Sequence, residues 1–345
     1  MKLNEKGRLI LCFTAAVVLA GAFWFVLRAF EENMMAETLD GKAAAVSNSV
    51  AEEEPVMGTI KLSGDKYDYY HEFETFLLMG TDASGNEKAS GKKYRGSMAD
   101  FLLLAVFDLT DHTYGMIQLD RDTMTEIRLL SRKNTGGATS KMQLCTAHWY
   151  GGDSETSCEN TVVAVSKLLG GITIDGYCAV NMEDFPKLNH LVDGVEVTLE
   201  DDFTMHDPKM KKGTTLTLTD EQAYIYIHSR MEMKNDTNSA RMQRQKQYMK
   251  AYFEKALTLM KTDNTFINNI NSELETIAVT NITGRQMSTM TKTLMEGTNR
   301  GIKEFSGKSK IGQALDDGID HAEFYIDKAS KIQIMTEMYG LQKRK

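Results

Sequence analysis

Asp100-Phe-Leu-Leu-Leu-Ala-Val-Phe-Asp-Leu-Thr-Asp-His-Thr-Tyr-Gly-Met-Ile-Gln-Leu-Asp-Arg-Asp-Thr123 is the stretch on which the fold turns. Phe101 to Phe107 is an unbroken apolar run of strand length. Tyr114 to Leu119 is a second, and the polar segment Leu109 to Thr113 between them predicts a hairpin. A turn centred on Asp111 pairs positions whose numbers add to 222, which sets Asp100 opposite Asp122. Cross-strand roots lie about 5 Å apart, and like charges there repel. Two carboxylates so placed want a cation, or one of them holds its proton. Arg121 stands beside them at the strand's exit. A solvated hairpin end and an oxygen-ligand metal site are both consistent with this stretch alone, and a turn off centre by one residue sends the two acids to opposite faces.

Working outward, the chain has 345 residues, 42% of them apolar, 3 prolines and a formal charge of −8. That balance excludes broad electrostatic attraction to nucleic acid. An anionic ligand must be held by local arginines. Leu9 to Leu27 carries no charge and approaches the about 20 residues that span a bilayer. Lys2, Lys6 and Arg8 precede it, which places the N-terminus in the cytoplasm and the rest outside. An uncleaved anchor is the expectation, with a cleaved signal peptide as the alternative. The organisation is then residues 1–8 cytoplasmic, 9–27 transmembrane, 28–66 an extracellular tether and 67–345 one catalytic-type domain.

Within the domain, Thr75 to Met79 reads as a buried strand ended by Gly80-Thr81-Asp82. Asp82 lies where open α/β sheets place ligands. Helices are expected from Ser154 to Leu169, from Asn181 to Leu191 with Pro186 interrupting, from the Thr219 capping box to His228, and from Ser239 onward. Strands fall at Ile174–Val180 and Val195–Leu199. This alternation argues a layered α/β domain. Arg241, Arg244 and Tyr248 share a face of the long helix. Two arginines near a helix start repel each other and oppose its dipole, so an anion would relieve both costs, although a basic solvated face has the same pattern. Cys145, Cys158 and Cys178 show no metal-type spacing. Cys145 with Cys158 is the preferred disulfide in an oxidising compartment, and reduced buried thiols are the alternative.

These pieces together resemble the LytR–CpsA–Psr family of envelope proteins, from about Tyr67 to the C-terminus. The matching stretches include Phe76-Leu-Leu-Met-Gly-Thr-Asp82, Ser97-Met-Ala-Asp-Phe-Leu-Leu-Leu104, Gln118-Leu-Asp-Arg-Asp-Thr123, Ala147-His-Trp-Tyr-Gly-Gly152 and Ser239-Ala-Arg-Met-Gln-Arg-Gln245. The resemblance implies a central mixed sheet flanked by helices. It also implies a membrane-anchored phosphotransferase that moves a glycopolymer, a teichoic acid or capsule, from a polyprenyl-pyrophosphate carrier to peptidoglycan in a Gram-positive-type envelope. Asp100 and Asp122 fall on the family's metal-binding aspartates, with Mg²⁺ or Mn²⁺ the expected ion. Arg121, Arg230, Arg241 and Arg244 fall on the pyrophosphate-binding arginines, with Arg121, Asp122 and Arg241 catalytic. Asp82, Arg95 and Gln245 are secondary candidates. The chain departs from the family pattern at Met98, where an arginine is usual and Arg95 is the nearest replacement. It departs again at His228 and Cys145. Two other functions fit the same residues: a polyprenyl-pyrophosphate phosphatase, in which water replaces the glycan acceptor, and a non-catalytic lipid or glycan binder.

Overall fold

The computed structural model describes residues 55–82, 96–229, 238–263, 265–315 and 317–344. The expected anchor at 9–27 lies outside them, as do Arg95 and Arg230. No helix among the described residues is long and apolar enough to cross a membrane.

Six strands form the central sheet: β1 (Phe73–Thr81), β2 (Ala99–Asp108), β3 (Thr113–Gln118), β4 (Gly176–Asn181), β5 (Ala278–Thr280) and β6 (Thr298–Glu304). Their order is β5-β4-β1-β2-β3-β6. β1 pairs parallel with β4, and β3 parallel with β6, while β2 runs antiparallel between β1 and β3. The sheet is therefore mixed, as expected.

Strand alternation sends successive side chains to two cores, which is why β1 and β2 read as continuous apolar runs. Phe76, Leu78, Leu103, Ala105, Phe107 and Met116 face one side, against helices α2 (Phe185–Leu191), α3 (Asp220–His228), α4 (Asn238–Thr262), α5 (Phe266–Ile277) and α6 (Gly284–Glu296). Leu77, Met79, Leu102, Leu104, Val106 and Ile117 face the other, against α1 (Ser154–Leu168) and α7 (Lys328–Tyr339). Each such burial contributes about 2 kcal/mol.

Four expectations are corrected. The β2–β3 register sums to 221, not 222: Leu104 pairs with Ile117 and Asp108 with Thr113. Only Leu109 to His112 connect the strands, and an even-numbered loop centres between residues. Asp108 Oδ1 accepts from the backbone of Thr110 and Asp111, at 3.1 and 2.9 Å, which fixes that turn. Pro186 does not interrupt α2, because it stands in the first turn, where its missing N–H costs nothing. The folded unit starts before Tyr67: Gly58–Leu62 pairs with Asp65–Tyr69, which also pairs with Gln342–Lys343. Ile60 and Leu62 are core residues there. Finally, Cys145 and Cys158 are free, buried thiols rather than a disulfide.

Candidate active site

Strands β1, β3, β4 and β6 all end at one sheet edge, where β2 begins. That edge collects Asp82, Asp100 and the Asp120-Arg121-Asp122 triplet. A β-bulge helps aim the first acid of β2. Gly80 pairs with Phe101 and Thr81 with Ala99, so Asp100 is the extra residue that β1 skips. Such insertions re-aim a side chain.

The one-residue difference in register puts Arg121, not Asp122, where the ladder of β2 and β3 continues toward Asp100. Arg121 Nη1 lies 2.7 Å from Asp100 Oδ1. Its Nε lies 3.6 Å from Asp122 Oδ1, so the guanidinium bridges both expected metal ligands. Arg241 reaches the same acid from α4, with Nη1 3.1 Å from Asp100 Oδ2. Asp100 thus carries two arginines. All four side chains are buried. Ion pairs so placed are held tightly only when the partners stay matched.

The rest of the Arg121 guanidinium meets sulfur. Nη2 donates to Met98 Sδ at 2.6 Å and to Cys145 Sγ at 3.1 Å. Burial pushes the Cys145 thiol up to about 12, so it stays protonated at neutral pH. Two of the three departures from the family pattern, Met98 and Cys145, therefore line one arginine with soft, neutral acceptors. Cys158 is equally apolar in setting, 3.6 Å from His148 Nε2. Burial pulls His148 down to about 4, and Nδ1 meets the Ser97 carbonyl at 3.0 Å; it is a neutral structural residue.

Asp82 stands beside Asp100. Burial first, then the neighbouring Asp100 charge and a hydrogen bond to it, raise Asp82 to about 6, while Arg121 and Arg241 pull the other way. Asp120, which the sequence reading passed over, is the other perturbed acid. Burial and then Asp122 raise it to about 6. Its Oδ1 accepts from the Asp122 backbone at 2.8 Å and from Asn238 Nδ2 at 2.6 Å. Asn238 Oδ1 in turn accepts from Arg241 Nη2 at 2.8 Å. The signal was present: in extended chain, positions 120 and 122 share a face.

Arg244 does not join them. Nη1 holds Asp201 at 2.7 Å, Nε the Tyr226 carbonyl at 3.0 Å and Nη2 the Ser229 carbonyl at 2.5 Å. It is a buried clamp between α4 and the end of α3. Gln245 sits between regions: its Oε1 accepts from Gln118 at 3.3 Å, and its Nε2 donates to the Ile227 carbonyl at 3.2 Å.

Two openings meet at this edge. An apolar trough, narrow at about 70 Å³, runs between β1, α2 and α4 and is lined by Gly80, Phe101, Met182, Leu188, Met249 and Tyr252. A wider cleft of about 740 Å³ holds Asp120, Arg121, Asp122 and Asn238. The acids offer only oxygen, which suits a hard divalent ion. Asp82 and Asp100, in carboxyl-to-carboxyl contact, have the chemistry to share one. Among the described residues, the one group of three potential ligand atoms within 4.8 Å is elsewhere, at His71, Asp108 and Asp111, where Arg300 already pairs with Asp108.

The sequence model of the LytR_cpsA_psr family matches residues 34–339. The chain belongs to the LytR–CpsA–Psr family. A polyisoprenyl-teichoic acid–peptidoglycan teichoic acid transferase, TagU of Bacillus cereus, is 27% identical over 218 residues, 63% of each chain. The chain thus spans less than two thirds of the length of that relative. Among solved structures, protein gbs0355 of Streptococcus agalactiae matches with a TM-score of 0.61 at 20% identity, over 79% of this chain and 90% of that one. TagV of B. subtilis matches at 0.57 and 19%, over 78% and 96%. These structures share the mixed α/β fold of this LytR–CpsA–Psr protein.

Proposed function

We propose that this protein moves a phosphate-linked glycopolymer from a polyprenyl-pyrophosphate carrier to a hydroxyl of peptidoglycan, held at the outer face of the cell membrane by residues 9–27. The carrying observation is Asp100 with a guanidinium on each oxygen, immediately next in sequence to Phe101 of the apolar trough. A pyrophosphate would replace Asp100 as the partner of Arg121 and Arg241, while the lipid lies along the trough. The flat fork of arginine suits phosphate oxygens. The teichoic acid transferase relative supports this substrate class.

In the reaction, the acceptor hydroxyl gives its proton to Asp120 and its oxygen attacks the phosphorus that bears the glycan. One new O–P bond forms, the bridging P–O bond breaks, and polyprenyl phosphate leaves with the electron pair. Arg121 and Arg241 stabilise the charge that grows on it. A magnesium or manganese ion held by Asp82 and Asp100, with Asp122 as a further donor, would supply additional neutralisation of the pyrophosphate.

The test is transfer of a labelled polyprenyl-pyrophosphoryl saccharide to peptidoglycan by the full-length protein in detergent. Label on glycan, lost in the Asp100→Ala, Arg241→Ala double variant, is the expected result. Label released as phosphorylated saccharide with water as acceptor would make the protein a phosphatase. Lipid binding without turnover in magnesium would make it a binder.

A further inference from the structure

The cleft extends well beyond the arginines. Its far wall is a hairpin near the C-terminus, Gly307–Gly312 paired with His321–Ile326, to which the sequence reading gave no role. The hairpin is fastened directly to the reactive segment. The Phe324 N–H donates to the Asp122 carbonyl at 2.8 Å, and Gln143 Nε2 donates to the Ala322 carbonyl at 3.1 Å.

Two properties say what this wall can bind. The first is charge. Among the described residues lining the cleft, Arg121 is the one lysine or arginine, against Asp120, Asp122, Glu304, Asp320 and Glu323. Lys246 pairs with Glu304 and Lys310 with Glu323 from outside the lining, so the acids are partly offset, and the acidic excess that is left disfavours a polyanion. The second is unmet hydrogen bonding. Gln118 Oε1, Thr123 Oγ1 and Gln143 Oε1 are buried with no partner among the described protein groups. All three residues line the cleft and are at most 3% exposed. A buried acceptor without a donor is costly, so these atoms call for hydroxyl or amide donors. Phe305 and Phe324 add apolar surface beside them, matching the C–H face of a sugar ring.

We propose that this half of the cleft is the acceptor subsite and takes a neutral, hydroxyl-rich saccharide strand, read by Thr123 and Gln143. This rests on the transfer reading above and says where its acceptor lies. The charge pattern then sorts the two substrates, with the anionic donor at the arginines and the neutral glycan at the hairpin.

The test uses full-length protein in detergent, titrated by calorimetry with a β-1,4-linked N-acetylglucosamine tetramer and, separately, with polyprenyl pyrophosphate. The variants are Thr123→Val, an isostere lacking only the orphan oxygen's polarity, and Gln143→Met. Replacing an unmet buried acceptor by an apolar isostere does not cost folding stability. Thr123→Val should therefore hold or raise Tm while weakening the tetramer about fivefold, one neutral hydrogen bond's worth, with polyprenyl pyrophosphate binding unchanged. Gln143→Met should weaken the tetramer similarly. Tetramer affinity unmoved in both variants, or wild type that binds the lipid and not the tetramer, overturns the subsite and leaves the donor reading standing. Wild type that binds neither overturns both.

Discussion

Asp120 is one carboxylate among four at the sheet edge, and its surroundings separate it from the others. Asp100 is ion-paired with two arginines, and Asp82 leans on Asp100. Asp120 instead opens on the cleft, and the Asp122 N–H and Asn238 Nδ2 both donate to the same one of its oxygens. Its ordinary value of 3.8 is raised to about 6 by burial and by Asp122. A base must be deprotonated to accept, so the acid side of the profile carries the signature. Transfer by wild type should fall about tenfold per pH unit below pH 6 and level off above it. Asp120→Asn should remove that limb and lower kcat by about 10²–10⁴-fold. Asp82→Asn should leave the limb in place. Initial rates between pH 5 and 8 for the three proteins decide it. A limb that persists in Asp120→Asn and vanishes in Asp82→Asn would transfer the role to Asp82.

At the scale of elements, α4 shows how two residues three apart acquire different tasks. Arg241 and Arg244 both lie on its buried side, yet one meets Asp100 and the other Asp201. Sequence spacing gives the face; it does not give the partner, because Asp201 and the Ser229 carbonyl arrive from loops with no periodic signal. The same limit explains the hairpin. Its strands were legible from apolar runs, and its turn from the segment Leu109 to Thr113 around Asp111. Whether the loop holds four residues or five was not, and that one residue exchanged Asp122 for Arg121 opposite Asp100. The bulge at Asp100 has no local sequence mark either. For Arg244 the consequence is a stability prediction. Arg244→Ala strands Asp201 and two carbonyls, and breaking such a buried pair costs about 3 kcal/mol. Chemical denaturation should show that loss, while polyprenyl pyrophosphate affinity of the folded fraction stays near wild type. A large loss of affinity without loss of stability would return Arg244 to the phosphate site.

For the whole molecule, the layering does the sorting. The sheet divides two cores, and the one under α2 to α6 opens as a trough, because α2 and α4 bridge over the ends of β1 and β4 without closing on them. Its lining is apolar in sequence too, but no leucine or methionine there differs in pattern from a core residue, so the trough was unreadable until the helices were placed. It leads from the arginine pair into the interior, and its walls mix branched residues such as Leu188 and Ile227 with the flexible side chains of Met182 and Met249. A methionine at position 249 keeps it adaptable. Met249→Trp should fill part of the trough without touching the charged end. Each methylene of lipid lost from burial forfeits about 0.8 kcal/mol, so two lost units weaken a long-chain polyprenyl pyrophosphate by about tenfold. Geranyl pyrophosphate, too short to depend on the deep end, should bind the variant as it binds wild type. Parallel titrations with the two chain lengths measure the difference. Equal weakening of both would mean that the tryptophan disturbs the arginines, and no change in either would place the lipid outside the trough, along some other face of the domain.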